Sequence, residues 1–265
     1  MTLIIDSGYT QWDPASITTA LWLDASDEST VSTSSSLVTE WRDKSGNTRH
    51  VAQSDNALRP SYVSANLNGK NVIGTTVVGK QLINSSAALL QNVTGASIFA
   101  VASCTSTTAA LKPYVLIATS ANNTRFAFFK TSDQYLQTGG RRVTADVFAS
   151  VSGSVDIGTG YNILGTVCNY STTTLTAFRN GSQDAQRTDW LTSGSTPSDG
   201  GAVSIFNSPS GDLPFFTGNM GEIVVLNSVA STDTRQRIEG YLGHKWGLTA
   251  NLPSDHPYKI NAPAP

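Results

Sequence analysis

Charged residues are scarce in this sequence. Asp, Glu, Lys and Arg make up only 14% of the 265 residues, and the formal net charge is −2. A protein that binds nucleic acid neutralises phosphates with clustered Lys and Arg, so the lack of a basic field argues against a nucleic-acid partner. The surface must instead consist largely of Ser, Thr, Asn and Gly, which is typical of short strands joined by polar turns.

Long apolar runs and cysteines are also few. No stretch of about 18 apolar residues occurs, so no membrane-spanning helix is expected. Residues 1–6 lack the basic and apolar segments of an export signal, and we expect synthesis in a cytoplasm without export. The only two cysteines, Cys104 and Cys168, each end an apolar run. In a reducing medium, buried free thiols are favoured over the alternative, a disulfide between them.

Motifs for the common enzyme chemistries are missing. Retaining glycoside hydrolysis needs two carboxylates about 5 Å apart, yet no glutamate has a second acid two or four residues away on a credible strand. The histidines show no spacing typical of zinc. A Gly-x-Ser-x-Gly elbow and a phosphate-binding loop are absent as well. We therefore predict that the protein is not an enzyme.

One amphipathic helix pattern stands near the C-terminus. Ile238, Leu242 and Trp246 recur at i, i+4 and i+8, with polar residues between them. Caps at both ends complete the pattern and predict a helix over residues 231–247. Gly240 lies inside this helix and would weaken it by about 1 kcal/mol relative to Ala. Its presence indicates that another element approaches the helix backbone closely.

Short apolar runs alternate with polar turn clusters through the rest of the chain, which indicates an antiparallel β-sandwich. Asn180-Gly181 suits the two positive-φ positions of a type I′ hairpin turn. Residues 98–102 are apolar at every position and should lie in the middle of a packed sheet. The expected strands are 17–24, 98–104, 114–118, 126–129, 142–148, 162–168, 175–179, 203–207 and 216–226.

Several short motifs occur in an order that resembles a known superfamily. They are residues 21–27, 41–47, 59–60, 67–69, 178–181, 221–223 and 238–247. Together they resemble the concanavalin A-like lectin/glucanase superfamily, in its laminin-G-like jelly-roll branch. The resemblance implies an all-β fold, a two-sheet antiparallel jelly-roll sandwich with one C-terminal helix, over residues 17–265 behind an N-terminal arm of residues 1–16. It also implies sugar or calcium sites in some members and purely structural roles in others.

Two pairs of residues are candidates for ligand binding. Trp190 could stack on a sugar ring while the adjacent Asp189 bonds its hydroxyls, and Trp12 is a second aromatic candidate. The alternative is that Trp190 closes the end of the core. Asp43 and Asn47 could offer oxygen ligands to calcium, the only cofactor considered. Two oxygens are fewer than calcium needs, and a turn explains both residues equally well.

Domains of this pattern occur in bacterial surface proteins and, without signal peptides, in bacteriophage virion proteins. We therefore expect a non-enzymatic bacteriophage structural protein located in the virion, as a head decoration or a tail or fibre component, with a lectin-like domain for host surface glycans. Its expected partners are other virion proteins and further copies of itself, with a trimer as one arrangement. The arm is expected to serve assembly and to be dispensable for folding. The alternative function is a bacterial carbohydrate-binding module without catalytic activity.

Overall fold

The described part of the chain, residues 12–118, 124–198 and 201–265 of the computed structural model, contains 17 β-strands and one α-helix. The strands are β1 (Leu21–Asp24), β2 (Val31–Ser34), β3 (Leu37–Trp41), β4 (Val51–Ala52), β5 (Ser61–Leu67), β6 (Lys70–Thr75), β7 (Leu82–Asn84), β8 (Gly95–Cys104), β9 (Lys112–Ala118), β10 (Arg125–Lys130), β11 (Tyr135–Arg141), β12 (Ala149–Asp156), β13 (Asn162–Asn169), β14 (Thr174–Arg179), β15 (Ser182–Arg187), β16 (Ala202–Ile205) and β17 (Gly218–Leu226). The helix is α1 (Thr232–Trp246). Within these residues, no helix is both long enough and apolar enough to cross a membrane.

Antiparallel pairing arranges the strands in two layers. The helix-side sheet has the order β15-β14-β13-β8-β17, and the far edge of β17 pairs with β6 and β1. The opposite sheet runs β12-β11-β10-β9-β16-β7-β4-β3-β2. β5 connects the two because it pairs with both β3 and β6. β12 and β15 lie side by side and nearly close the sandwich. The predicted all-β jelly-roll sandwich with one C-terminal helix is confirmed.

β8 is the centre of the helix-side sheet, and all of its residues are buried. Because side chains alternate between the two faces of a strand, β8 contributes to two hydrophobic cores. Ile98 and Ala100 belong to the core between the sheets, whereas Phe99 and Val101 belong to the helix-side core, beneath α1. The prediction that this run lies in the middle of a packed sheet is confirmed.

α1 has the boundaries that the sequence predicts. Ser231 precedes it, and its Oγ accepts a hydrogen bond from the Thr234 N–H at 3.1 Å. Gly247 ends the helix in the left-handed conformation, with φ 67°. A Cβ on Gly240 would lie 2.4 Å from the Cβ of Tyr258. The C-terminal tail therefore packs directly on the helix backbone, as the glycine in the helix indicated.

Two histidines hold this tail against the helix. His244 Nε2 lies 2.9 Å from the carbonyl oxygen of Tyr258. His256 is buried, its Nε2 lies 3.2 Å from Glu239 Oε2, and its Nδ1 accepts a hydrogen bond from the Tyr258 N–H at 3.2 Å. Arg235 donates to the same Glu239 oxygen at 2.6 Å. Both histidines thus have structural roles.

Two local predictions have different outcomes. Asn180 and Gly181 have φ values of 51° and 82° and join β14 to β15, so the predicted hairpin is confirmed. The predicted strand 142–148 is wrong. These residues form a turn in which Asp146 Oδ2 accepts hydrogen bonds from the N–H groups of Arg142 and Val143 at 3.2 and 3.3 Å. Side-chain bonds to the local backbone offered the chain an alternative to strand pairing.

Two buried lysines fix loops at one end of the opposite sheet. Lys112 and Lys130 are direct neighbours across β9 and β10, and neither has exposed surface. Lys112 Nζ donates to the carbonyl oxygen of Thr131 at 2.7 Å, and Lys130 Nζ donates to those of Cys104 and Gly158 at 2.9 and 2.6 Å. Burial lowers the pKa of both ammonium groups. Nothing in the sequence pattern distinguished these lysines from surface ones.

The two cysteines are free and buried, as predicted. Burial raises the pKa of both thiols, Cys104 and Cys168. They therefore act as small apolar residues of the core.

The last residues of the predicted N-terminal arm belong to the helix-side core, which corrects the boundary at residue 16. Trp12 is only 3% exposed, and its ring meets that of Tyr241 edge-on with the centroids 6.0 Å apart. The backbone N–H of Trp12 donates to the carbonyl oxygen of Pro263 at 3.4 Å. Pro14 is buried as well. Residues 1–11 lie outside the described residues.

Substitution of Leu242 tests how α1 is docked. Leu242 has no exposed surface and lies in the helix-side core. Leu242→Ala is expected to lower the free energy of unfolding by about 2–5 kcal/mol, because truncation leaves a cavity. Urea unfolding measures this loss, and Thr232→Ala on the exposed start of the helix is the control. Equal stabilities of the two variants would show that α1 is not docked through this face.

Trp12 tests the corrected arm boundary. Trp12→Ala is expected to cost about 3–5 kcal/mol, because a buried Trp is truncated, and deletion of residues 1–16 should also destabilise the domain. Thermal and urea unfolding of both variants, with the exposed Thr18→Ala as control, measure the effect. Unchanged stability of both variants would show that Trp12 belongs to an arm that is dispensable for folding.

Candidate functional site

The structure separates the predicted sugar-binding pair. Trp190 is 3% exposed, lies in the core between the sheets and stacks on Tyr170 with the ring centroids 5.9 Å apart. Asp189 is exposed and pairs with Arg187 at 3.1 Å. The expectation of an exposed Trp190 ring is wrong, because the indole closes the end of the core, which was the alternative. Neither this ring nor the buried Trp12 offers a face for a sugar.

Asp43 and Asn47 lie in a tight, fully bonded turn. Asp43 Oδ1 accepts the N–H groups of Trp22 and Ser45 at 2.9 Å each, and Oδ2 accepts the Ser45 hydroxyl at 2.8 Å and the Arg49 N–H at 3.0 Å. Asn47 Nδ2 donates to backbone carbonyls just before β1. Among the described residues, no group of three or more His, Cys, Asp and Glu side chains could hold a metal. The calcium assignment to this pair stays a prediction.

Glu222 occupies the centre of a buried hydrogen-bond network. Its Oε1 accepts from Trp22 Nε1 at 2.7 Å and from the Tyr241 hydroxyl at 2.8 Å. Its Oε2 accepts from Trp246 Nε1 at 2.7 Å and pairs with Lys245 Nζ at 2.8 Å. These donors satisfy the carboxylate, and Glu222 has no exposed surface. The carboxylate therefore holds β1, β17 and α1 together and is closed to a substrate.

Asp24 extends this network towards the surface. Its Oδ2 lies 2.7 Å from Lys245 Nζ and 3.0 Å from Lys44 Nζ, and Lys44 also pairs with Asp27 at 2.8 Å. Burial acts to raise the pKa of Asp24, but the two ammonium groups outweigh it and hold this pKa below its ordinary value. The pKa of Glu222 is raised, because burial and then the charge of Asp24 disfavour its carboxylate.

A half-open cleft of about 240 Å³ lies where β5 and β6 meet β17 and the loop after β8. Its lining contains side-chain hydroxyl and amide groups but no charged side chain among the described residues. The polar residues of this lining are Ser61, Asn66, Thr75, Thr76, Thr105 and Asn219. The cleft therefore offers neutral hydrogen-bond donors and acceptors to a ligand.

Strand register and two glycines form the floor of the cleft. Asn219 on β17 pairs with Gly74 on β6 and with Ser103 on β8. A Cβ on Gly74 would lie 2.0 Å from Asn219 Oδ1, so a glycine is required where the amide crosses β6. Gly218 has φ 144°, and a Cβ there would lie 2.2 Å from the carbonyl oxygen of Ser103.

One wall of the cleft is fixed by Tyr161, the residue before β13. Its hydroxyl donates to Asn66 Oδ1 and interacts with the side chains of Ser103 and Asn219. Burial raises the pKa of Tyr161 to about 12, so the phenol stays protonated at neutral pH. The NH₂ group of Asn66 makes no hydrogen bond to the described residues and is available to a ligand.

No motif in the sequence marks the residues of the cleft. The polar lining residues come from four separate segments of the chain, Tyr161 adds a fifth, and each is an ordinary Asn, Ser, Thr or Tyr in a polar region. The one relevant signal in the sequence is the scarcity of charged residues, which indicates that most of the polar surface is neutral.

Comparisons with known proteins identify the fold. No family model matches the chain, and no curated protein matches it. The receptor-binding domain of the botulinum neurotoxin C/D mosaic serotype aligns with a TM-score of 0.56 and 10% identity over 84% of this chain and 51% of that one. The botulinum neurotoxin serotype D ligand-binding domain, in complex with N-acetylneuraminic acid, aligns with a TM-score of 0.55 and 12% identity over 84% and 50%.

A carbohydrate-binding domain of the Ruminococcus gnavus IT-sialidase aligns less well, with a TM-score of 0.45 and 16% identity over 56% of this chain and 83% of that one. The chain spans about half the length of the two toxin domains. At these identities the likeness to the two toxin domains shows the fold alone, which is an antiparallel jelly-roll sandwich.

The lysine-bound carboxylate Asp24 predicts a pH dependence of stability. A carboxyl group with a lowered pKa in the folded state stabilises that state above the ordinary pKa of 3.8 and loses this contribution as the pH falls through the folded pKa. Asp24→Asn should therefore be less stable than the natural chain at about pH 7, and the difference should shrink by about pH 3.

Urea unfolding of both chains from pH 7 to pH 3 measures this difference. Glu222, whose pKa is raised by burial and by the charge of Asp24, contributes with the opposite sign above its ordinary value of 4.5. Because Asp24→Asn removes that charge and changes this contribution, the loss that belongs to Asp24 is measured as the change in the stability difference below about pH 4.5. A stability difference that stays constant with pH would show that Asp24 is not held as an ion by the two lysines.

Proposed function

We propose that this protein is a non-catalytic glycan-recognition protein and that its sugar site is the cleft between β5, β6 and β17. The charge-free lining of amide and hydroxyl groups over a glycine floor carries the proposal. Sugar hydroxyls both donate and accept hydrogen bonds, and neutral amides and hydroxyls complement them. The serotype D toxin domain, which shares the fold, binds N-acetylneuraminic acid in its structure, and this supports sugar recognition by such a domain.

The environment of the carboxylates supports a non-catalytic role. A glycosidase needs one carboxylic acid and one carboxylate beside the sugar bond. Glu222 is enclosed by two indoles, a phenol and an ammonium group, and Asp24 is held by two lysines. Neither carboxylate lines the cleft. These acids stabilise the fold, and the cleft contributes binding alone.

We place this recognition on a bacteriophage particle, as a head decoration or a tail or fibre component. The order of sequence motifs, which resembles laminin-G-like domains of virion proteins, supports this proposal. A small neutral cleft binds one sugar unit weakly, and many copies on one particle turn weak contacts into stable attachment. Assembly with copies of itself and with other virion proteins is part of the proposal.

Asn66→Ala tests the cleft as the sugar site. Loss of the amide removes hydrogen bonds to the sugar, so affinity should fall about 3- to 10-fold. Binding to a glycan array in an oligomeric form, followed by titration of the best glycan, measures the effect. Asn227→Ala, at an exposed position after β17, is the matched control and should bind as the natural chain does.

Two results would contradict the proposal. If the natural chain binds no glycan at any density, it has no sugar-recognition role. If Asn66→Ala and Asn227→Ala bind a glycan equally, recognition takes place elsewhere on the surface. The virion assignment is tested separately, by whether the chain sediments with purified phage particles. A bacterial carbohydrate-binding module would instead be found free of particles.

A further inference from the structure

The cleft has no partner for a negative charge. Among the described residues, none of its lining side chains is charged. Carboxylate recognition in proteins commonly uses a bidentate arginine, and a carboxylate moved from water to a site without a partner loses hydration without compensation.

Five arginines elsewhere in the described chain are engaged in other contacts. Four of them pair with carboxylates on their own strand, loop or helix, at distances from 2.6 to 3.1 Å. These pairs are Arg42–Glu40, Arg187–Asp189, Arg235–Glu239 and Arg237–Asp233. Arg59 donates to backbone carbonyls of its own turn. None of these five arginines lines the cleft.

The neutral groups of the cleft are held in place before a ligand arrives. The Asn219 amide lies across Gly74, with its Nδ2 3.4 Å from the Ser103 hydroxyl. The Tyr161 hydroxyl fixes Asn66 through its oxygen. A fixed amide loses little conformational entropy when it binds. Such groups recognise ligand hydroxyl or acetamido groups, and they are left unpaired when a ligand lacks matching groups.

We infer that the cleft binds a single neutral sugar unit, a hexose or an N-acetylhexosamine, and discriminates against acidic sugars such as uronic and sialic acids. The inference rests on the proposed function, because it specifies the ligand class of the same site. The volume of about 240 Å³ lies just below the range of about 300–1,000 Å³ for sites that take drug-sized ligands. One sugar ring fits this size, and the open side lets further units of a glycan extend into solvent.

A matched pair of ligands tests the inference directly. Methyl glucoside and methyl glucuronide differ only at C6, which is a hydroxymethyl group in one and a carboxylate in the other. Methyl N-acetylglucosaminide and the methyl glycoside of N-acetylneuraminic acid form a second comparison. Titration of the natural chain at about 0.15 M salt, where distant charges are screened, should show at least about 10-fold weaker binding of the acidic member of each pair.

A substitution on the cleft rim introduces the positive charge that the lining lacks. Thr76 is exposed and lines the cleft, so Thr76→Arg adds a guanidinium group that can pair with a carboxylate. This variant should lose most of the discrimination against glucuronide. Thr107→Arg, at an exposed position outside the lining, makes the same change in net charge and is the control. It should keep the preference for the neutral sugars.

The outcomes separate the inference from the proposed function. The inference is supported if the natural chain and Thr107→Arg bind the neutral sugars more tightly than the acidic ones and Thr76→Arg does not. Binding of acidic sugars as tight as that of neutral ones, when it is weakened by Asn66→Ala, overturns the inference but leaves the cleft as the sugar site. Binding that responds to neither Asn66→Ala nor Thr76→Arg overturns both the site and the inference. A chain that binds none of the four glycosides and no array glycan refutes the proposed function itself.

Discussion

The buried carboxylate of Glu222 is the constraint on which the helix-side half of the structure depends. A charge without access to water is tolerated only when hydrogen bonds and an opposite charge replace its hydration. Here Trp22 from β1 and Tyr241, Lys245 and Trp246 from α1 converge on one side chain of β17. Because all of these donors must reach the same carboxylate, the helix can take only one position across the sheet. That position covers the outer face of β8 and defines the second hydrophobic core.

This arrangement determines which chemistry remains available. The buried acids of the network are engaged by indoles, a phenol and lysines, and their function is to fix the fold. The neutral polar groups at the end of the same sheet are different, because several of them have hydrogen-bonding capacity left over. Gly74 is required for this polar cleft, since the absence of a side chain there lets the Asn219 amide lie across the neighbouring strand. The buried charged network and the neutral polar cleft thus occupy separate parts of one sheet.

The parts of the fold that were predicted have strong local signals. The α1 helix has regular spacing and caps, residues 98–102 of β8 are all apolar, and Asn180-Gly181 is a specific turn pair. The strands between residues 31 and 84 were missed, because they are short and partly polar. Trp190 was misplaced for a similar reason. A polar sequence around an aromatic residue does not show whether the loop turns its ring inwards, and only the nonlocal contact with the core decides it.

The cleft could not have been found from sequence spacing, since its groups become neighbours only through strand register. The chemical character of the cleft, in contrast, follows from the composition of the chain. In a chain with 14% charged residues, most of the described acids and several arginines are committed to ion pairs or turns, so few charged side chains are left to line a surface cleft. The scarcity of charge that argues against a nucleic-acid partner therefore also favours a neutral ligand. Composition predicts which polar groups line this surface, and strand register determines which of them become neighbours.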